Sequence, residues 1–371
     1  MSNNKWNRDC KSFPGIYACE IMTAEGYKDC SNCQFYEQIG KKILIMHFGA
    51  LGDVIRTTSI IPEIRKKYGR NSKITWLTSP ECVFILKNTI GIDEIIPYNQ
   101  EIHLRLSQEE FDVLINLEIT PPATQLANIT NAKEKLGYFF DKDSHPKAFN
   151  KGAEEYLEIA FSNHLNKNTK KTYQELIFNA IELEYKQQQY QFKPEINEDY
   201  IKTFKNKNNL KETDKIIGIN IGSAPRFPSK AWDLEKIKGL VKELNKNYKV
   251  ILLGGPNELK IKEKLKEIPA ITNDFANSME EFISVLSICN LIITGDTLAL
   301  HLSIALEKPT ITLFFTTPPW QIENYSFLKK IVSPLMEKYF WSDQYHKDLV
   351  NSITIEEVLR EFKALLLLLT L

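Results

Sequence analysis

Four segments combine glycine with charged or hydroxylated side chains directly after short apolar runs. They are residues 49–53, 222–230, 254–258 and 295–301. In open α/β sheets, ligands bind beyond the carboxyl ends of the strands, where glycine turns expose backbone N–H groups and helix N-termini. We therefore expect these segments to bind a nucleotide-linked substrate and to carry the groups that act on it.

The first segment, Gly49-Ala-Leu-Gly52, lacks the third glycine of the dinucleotide-binding fingerprint. Gly52 permits a tight turn, and Asp53 then falls at the start of a predicted helix. Two roles are open for Asp53. It could cap the helix, or it could act as a general base whose ionised form the helix dipole favours.

The second and fourth segments carry charges suited to a diphosphate. Arg226 and Lys230 lie in a proline-containing loop, where they could offset negative charge on a leaving group or could be solvated surface cations. Asp296 and Thr297 open another predicted helix, whose N–H groups can bind phosphate. His301 lies one helical turn further on, so it either faces the same ligand or packs in the core.

Acidic residues elsewhere give weaker signals. Glu258 follows Gly254-Gly255 and is placed like an acidic residue that binds a ribose hydroxyl. Asp141 and Asp143 form an Asp-x-Asp pair of the kind that can hold a divalent metal. Because no strand is predicted before this pair, we interpret it as solvated surface.

Four of the six cysteines, Cys10, Cys19, Cys30 and Cys33, lie in the first 40 residues. No secretory signal precedes them, and the cytosol keeps thiols reduced, so structural disulfides are not expected. Four thiolates in so short a segment suit zinc or an iron–sulfur cluster. The alternative is a reduced arm that packs through its aromatic residues.

Alternating short apolar runs and amphipathic stretches predict two parallel α/β layers. The polar stretch from 141 to 172 is expected to be a long loop. The predicted divisions are a cysteine-rich arm (1–40), an N-terminal Rossmann-like acceptor domain (41–195), a linker (196–213), a C-terminal Rossmann-like donor domain (214–345) and a C-terminal helix (346–371) that packs back on the body.

The composition limits the function classes. The chain has 371 residues, with 47 basic and 47 acidic side chains, 43% hydrophobic residues and 25% charged residues. This is the mixture of a folded, water-soluble protein, and the balanced charge argues against a general grip on nucleic acid. No apolar run reaches membrane-spanning length. We predict a cytoplasmic protein that does not bind nucleic acid.

The segment from Ile43 to Ser59, which reads ILIMHFGALGDVIRTTS, closely resembles the opening of glycosyltransferase family nine, the heptosyltransferases of lipopolysaccharide core synthesis. Further similarities follow in the family's order: GINIGS from Gly218, KAW from Lys230, LLGGP from Leu252 and TGDTLALH from Thr294. Together they extend over most of residues 41–325.

This resemblance implies a GT-B fold, with two Rossmann-like domains facing a central cleft, and an inverting, metal-independent transfer from a nucleoside-diphosphate sugar, usually ADP-heptose. It makes Asp53 the catalytic base and Lys230 the phosphate-binding lysine. Leu298 replaces a glycine that is usual in the family. The catalytic prediction is Asp53 and Lys230, and the donor-binding prediction is Gly52, Ser223, Arg226, Gly254, Gly255, Glu258, Asp296, Thr297, Leu298 and His301.

The expected function is transfer of a heptose or related sugar to a lipopolysaccharide-core or other cell-surface glycan. The partners are a nucleoside-diphosphate sugar and a glycan or lipid-linked acceptor, met at the inner face of the inner membrane through peripheral association. No cofactor is expected for catalysis, apart from zinc or an iron–sulfur cluster in the arm. The alternatives are a non-catalytic nucleotide-sugar-binding scaffold, a protein O-heptosyltransferase and a nucleotide-sugar epimerase.

Overall fold

Contacts between Cα atoms divide the chain into two units in a computed structural model that describes residues 5–369. Within these residues, unit 1 contains 5–50, Thr57–Glu158 and Gln174–Gln191. Unit 2 contains Leu51–Arg56, Ile159–Tyr173 and 192–369. The short segment that carries Gly52 and Asp53 therefore groups with unit 2, although the strand that precedes it belongs to unit 1.

Unit 1 is built on a six-stranded sheet with the order β3-β2-β1-β4-β5-β6, in which only β6 is antiparallel to its neighbour. The strands are β1 Lys42–Met46, β2 Lys73–Thr78, β3 Glu94–Pro97, β4 Glu110–Asn116, β5 Asn131–Phe140 and β6 Pro146–Ala148. Residues 43–46 of β1 are fully buried. Their continuous apolar run suits a central parallel strand that is covered on both faces.

The helices that begin in the first half of the chain are mostly short. They are α1 Glu20–Ala24, α2 Leu51–Thr57, α3 Ile61–Tyr68, α4 Val83–Lys87, α5 Ile102–Gln108, α6 Ala123–Ile129, α7 Lys151–Phe161, α8 Asn163–Asn168 and α9 Tyr173–Ala180. One face of the sheet packs through Leu44, Met46 and Leu114 against Leu106 of α5 and Leu126 of α6.

Unit 2 repeats the same strand order in a second six-stranded sheet, β12-β11-β10-β7-β8-β9, in which all neighbours are parallel. The strands are β7 Ile216–Asn220, β8 Lys249–Leu253, β9 Ile271–Thr272, β10 Leu291–Gly295, β11 Thr310–Phe314 and β12 Leu328–Val332. In both sheets the first strand in sequence is flanked by the second and the fourth, the order of a doubly wound nucleotide-binding fold.

The helices of the second half are α10 Glu198–Lys207, α11 Leu234–Leu244, α12 Lys262–Leu265, α13 Met279–Ser287, α14 Leu298–Ala305, α15 Lys347–Val350 and α16 Ile355–Leu369. Residues 299–304 of α14 are all buried, so the helix is buried on every side, and it packs against β10 and β11. An apolar sequence all round a helix is typical of a fully buried one. This burial fixes the orientation of His301, which lies within α14.

One expectation about the chain between the sheets needs correction. The stretch from 141 to 172 is not a long loop, because it contains β6, α7 and α8. Residues 196–213, predicted to be a linker, contain α10, whose N-cap Asn197 accepts a hydrogen bond from the Tyr200 N–H. Among the described residues, no helix combines the length and the apolar character needed to cross a bilayer.

Candidate active site

Polar side chains of unit 2 gather where β7 and β10 end. In open parallel sheets, the point at which the strand order reverses is where ligands bind. Lys230 lies in the loop after β7, and its Nζ is 2.9 Å from Oδ2 of Asp296, in the turn after β10. A Cβ at position 295 would collide with the carbonyl oxygen of Lys230, so Gly295 allows the two loops to approach each other. Lys230 and Asp296, both predicted as site residues, thus form an ion pair.

Asp296 is held as an anion. Its Oδ2 also accepts a hydrogen bond of 2.6 Å from Oγ1 of Thr317, which lies beyond β11. Burial would raise the pKa of Asp296, but the charge of Lys230 and the Thr317 hydroxyl together hold this pKa well below its usual range. At neutral pH the lysine charge is therefore balanced locally by a carboxylate.

Thr297, the N-cap residue of α14, is held in position by a side chain at the end of β7. Its side chain makes no capping hydrogen bond to the helix. Instead, the Asn220 amide donates to Oγ1 of Thr297 at 3.2 Å and to the Gly222 carbonyl oxygen at 3.1 Å. Asn220 thereby ties the loop after β7 to the start of α14.

Asp53 is the third residue of α2, so the capping position falls on Ala50 and not on Asp53. Its Oδ1 accepts hydrogen bonds from Arg56 at 3.0 Å (Nε) and 2.6 Å (Nη2). The Arg56 guanidinium also lies 3.5 Å from the centre of the Tyr173 ring, a cation–π contact. Arg56 is buried while about a third of the Asp53 side chain is exposed. The arginine thus fixes the direction of a solvent-accessible carboxylate.

His301, in α14, lies beside the residue that precedes Asp53. Its imidazole packs against Gly52, where a Cβ would collide with its Cδ2. Burial is the main cause that lowers the pKa of His301 to about 4; the charge of Arg56 lowers it further, while Asp296 and Asp53 oppose the shift. His301 is therefore neutral at pH 7. Among the described residues, nothing hydrogen-bonds its buried Nδ1.

The glycine turn after β8 already uses its N–H groups within the chain. The Gly254 N–H donates to Oδ1 of Asn273 at 2.9 Å, and the Gly255 N–H donates to Oε2 of Glu258 at 2.8 Å. The Glu258 carboxylate also packs against Gly222. As it stands, Glu258 holds the turn in place.

The remaining predicted donor residues lie at the same edge of the sheet. Arg226 is exposed, and its guanidinium lies 5.2 Å from the centre of the Phe227 ring. Ser223 is half-buried in the loop after β7. Leu298 is the half-buried first residue of α14.

In unit 1, a carboxylate occupies the equivalent reversal point between β1 and β4. Oε1 of Glu118 accepts hydrogen bonds from the Phe48 N–H at 2.8 Å and the Gly49 N–H at 3.2 Å. It also lies 2.9 Å from Nδ1 of His47. Burial raises the pKa of Glu118, but these hydrogen bonds outweigh it and lower the pKa overall. Glu118 therefore fixes the turn that leads into α2.

The predicted metal ligands of the arm lie together in unit 1. Cys10, Cys19, Cys30 and Cys33 line a single pocket. The other two cysteines, Cys82 and Cys289, are buried in the cores of their units.

Comparison with known proteins gives the family. The sequence profile of "Glycosyltransferase family 9 (heptosyltransferase)" matches residues 101–342, more than half of the chain. This chain belongs to glycosyltransferase family 9. The resemblance stated from the sequence motifs is thereby confirmed, although the matched region begins after the segment that carries Asp53.

Two similar proteins show how far the similarity extends along the chain. It is 24% identical to lipopolysaccharide heptosyltransferase 1 of Campylobacter coli, over 78% of this chain and 89% of the relative. The solved structure of a family 9 glycosyl transferase from Veillonella parvula is 20% identical, with a TM-score of 0.64 over 89% of this chain and 98% of the other.

A second solved structure is the ADP-heptose lps heptosyltransferase II of E. coli, with a TM-score of 0.60 and 18% identity over 88% of this chain and 98% of the other. The predicted GT-B class, with two Rossmann-like α/β domains, is confirmed.

Several contributors to the site in this family 9 chain are not singled out by the motifs. Arg56 follows Asp53 by three residues, a spacing at which side chains on a helix meet, so its pairing had a sequence signal. Thr317 follows a buried strand and fits the strand-end rule. Tyr173 has no such signal, because its contact with Arg56 depends on tertiary packing.

Proposed function

We propose that the protein transfers a heptose from ADP-heptose to a lipopolysaccharide-core acceptor, with inversion at the anomeric carbon and without a catalytic metal. Family membership supports glycosyl transfer. The sugar and the acceptor class are taken from the relatives named for lipopolysaccharide and ADP-heptose.

The observation that carries the proposal is the contact of the His301 imidazole with Gly52. This contact packs α14, which begins just after Asp296 and its partner Lys230, against α2, which carries Asp53. A carboxylate that can accept a proton and a cation that can stabilise a leaving group therefore belong to one neighbourhood within unit 2. These two groups are what a single displacement at a glycosyl diphosphate requires.

In the proposed step, Oδ2 or Oδ1 of Asp53 takes the proton of an acceptor hydroxyl. The acceptor oxygen forms a bond to the anomeric carbon, while the bond between that carbon and the diphosphate oxygen breaks on the opposite face. Lys230 offsets the charge that develops on the departing ADP, and Asp296 holds the lysine in position. Because Lys230 supplies the positive charge, the step needs no metal ion.

The remaining assignments follow from this chemistry. We propose residues 214–345 as the donor domain, since Lys230 and Asp296 lie there, and residues 41–195 as the acceptor domain. We also propose that His301, whose imidazole packs against Gly52, borders the donor site. A lipid-linked acceptor would bring the protein to the cytoplasmic face of the inner membrane by peripheral association. The transfer uses none of the cysteines of the arm.

The test is an assay of the purified full chain with ADP-heptose and a lipopolysaccharide-core acceptor. We expect release of ADP and a product heavier by one heptose residue, with the anomeric configuration inverted by NMR, in the presence of a metal chelator. ADP-heptose binding without turnover on lipopolysaccharide-core acceptors would refute the proposal and favour a binding protein. Transfer to a protein hydroxyl instead would favour a protein O-heptosyltransferase.

A further inference from the structure

The cysteine-rich arm has an ordered backbone but almost no hydrophobic core. In its described part, residues 5–40, only Cys10 is buried, with 8% of its surface exposed. Large apolar side chains lie outside, such as Ile16 at 81% and Tyr17 at 78% exposure. Segments of this size that cannot bury a core usually need disulfides or a metal centre. All the cysteines are free thiols in the structure.

The fold of the arm brings its four thiols to one place. Cys10 pairs with Gln38 in an isolated antiparallel bridge, and Cys19 is the N-cap residue of α1. Cys30 and Cys33 lie at the two ends of a 3₁₀ turn, which Asp29 stabilises by accepting a hydrogen bond from the Ser31 N–H. The four side chains line one partly open pocket, together with apolar residues that include Phe13, Ile21, Met22 and Phe35.

The spacing of the thiols distinguishes a cluster from a single ion. A tetrahedral zinc site with Zn–S bonds of about 2.3 Å brings its sulfur atoms to about 3.8 Å from one another. Among the described residues, Asp141, Asp143 and His145 are the one set of three His, Cys, Asp or Glu side chains whose ligand atoms all lie within 4.8 Å of each other. No three thiols of the arm are that close, so their sulfur atoms are spread more widely than the ligands of one tetrahedral ion.

We propose that Cys10, Cys19, Cys30 and Cys33 bind a [4Fe–4S] cluster. In such a cluster each thiolate binds a different iron atom, so the sulfur atoms stand further apart than around a single ion. The apolar lining of the pocket suits an inorganic core that replaces the missing hydrophobic core. The Asp141, Asp143 and His145 set is a surface group on the β5–β6 turn, and it is not included in this proposal.

The cluster would determine whether the arm stays packed against the rest of unit 1. Nζ of Lys11 lies 2.9 Å from Oδ1 of Asp93, a carboxylate whose other oxygen pairs with Arg65 at 2.8 Å. The Gly40 N–H also donates a backbone hydrogen bond of 2.9 Å to the Asn71 carbonyl oxygen. Loss of the cluster should therefore release the arm while β1 and its neighbours remain folded.

The experiment uses the full chain purified without oxygen, alongside Cys30→Ser and Cys33→Ser variants. We expect about four iron atoms and about four acid-labile sulfides per chain, with visible absorption that bleaches on reduction. Both variants should lose most of this iron. Cys289→Ser is the matched control, because this buried thiol donates to the Val285 carbonyl, as a hydroxyl can, and it should retain the full iron content.

Hydrogen exchange provides a second readout that does not depend on transferase activity. Removal of iron should expose the amides of Cys30 and Ile39 to exchange while those of β1 stay protected. One zinc per chain without sulfide would overturn the cluster assignment. A chain that stays free of iron after anaerobic incubation with ferrous iron and sulfide would overturn the site itself, whatever the outcome of the heptose-transfer assay.

Discussion

The imidazole of His301 occupies the space that a side chain at position 52 would need, so Gly52 and His301 are matched in shape. Gly52 belongs to α2, which carries Asp53, and His301 belongs to α14, which follows Asp296. The contact is therefore one means by which unit 2 sets the position of Asp53 relative to the Lys230–Asp296 pair.

A double-mutant cycle tests this contact. Gly52→Ala should lower stability by about 1–3 kcal/mol, the usual cost of overpacking, and should reduce kcat. In a His301→Ala background, the added methyl group fills vacated space, so the same change should cost much less. Thermal unfolding and kcat of the four proteins measure the coupling, and simple additivity would contradict it.

The low pKa of His301 predicts a pH dependence of stability. The imidazole titrates near pH 4 when folded and near 6.5 when unfolded, so the unfolded chain binds more protons between these values. Stability should be fully present above about pH 6.5 and should decline as the pH falls towards 4, by about 3 kcal/mol from this group. The difference in Tm between the protein and its His301→Asn variant, measured from pH 7 to 4.5, isolates this effect.

An NMR titration of labelled histidines is the direct check on the same group. One of the six imidazoles should remain neutral down to about pH 4, and its signal should be missing in His301→Asn. A complete set of histidines that titrate near 6.5 would show that the imidazole is not buried as described.

Asp53→Asn should reduce turnover roughly 100- to 10,000-fold, the usual range for loss of a general base. Donor affinity should be preserved, because the amide keeps the size of the side chain. Asp343→Asn is the matched control, an identical change at an exposed residue of unit 2, and it should be fully active. Steady-state kinetics and isothermal titration with ADP separate the two effects, and full activity of Asp53→Asn would remove its role as the base.

The half-buried ion pair of Lys230 and Asp296 predicts that the single and double variants differ in stability. Asp296→Asn leaves the lysine charge without its partner and should lower stability by about 1–3 kcal/mol. The combination of Lys230→Met with Asp296→Asn should cost less than the sum of the two single changes. Thermal unfolding tests this order. Lys230→Met should also weaken ADP binding, and unchanged affinity would contradict a phosphate role.

The local sequence identifies the central strands well, because each is a short apolar run buried on both faces, as in residues 43–46 and 291–294. The local sequence does not identify the helices between 141 and 172, because α7 and α8 are polar and only partly buried. These helices depend on tertiary packing, which cannot be inferred from the composition of the segment.

The candidate site shows the same division. Glycine and aspartate positions at strand ends can be predicted from one segment at a time. The hydrogen bond from the Gly254 N–H to Asn273, 19 residues away, cannot be predicted in this way, because it depends on which loops meet in the fold. The same is true of the stacking of Arg56 on Tyr173.

Glu118 makes the two sheets chemically unequal in spite of their common strand order. Its carboxylate accepts hydrogen bonds from the Phe48 and Gly49 N–H groups, as a bound phosphate would. An external anion could therefore bind these two N–H groups only by displacing Glu118. The turn after β1 is therefore closed by a side chain of its own sheet, whereas the strand ends of the second sheet present the Lys230–Asp296 pair.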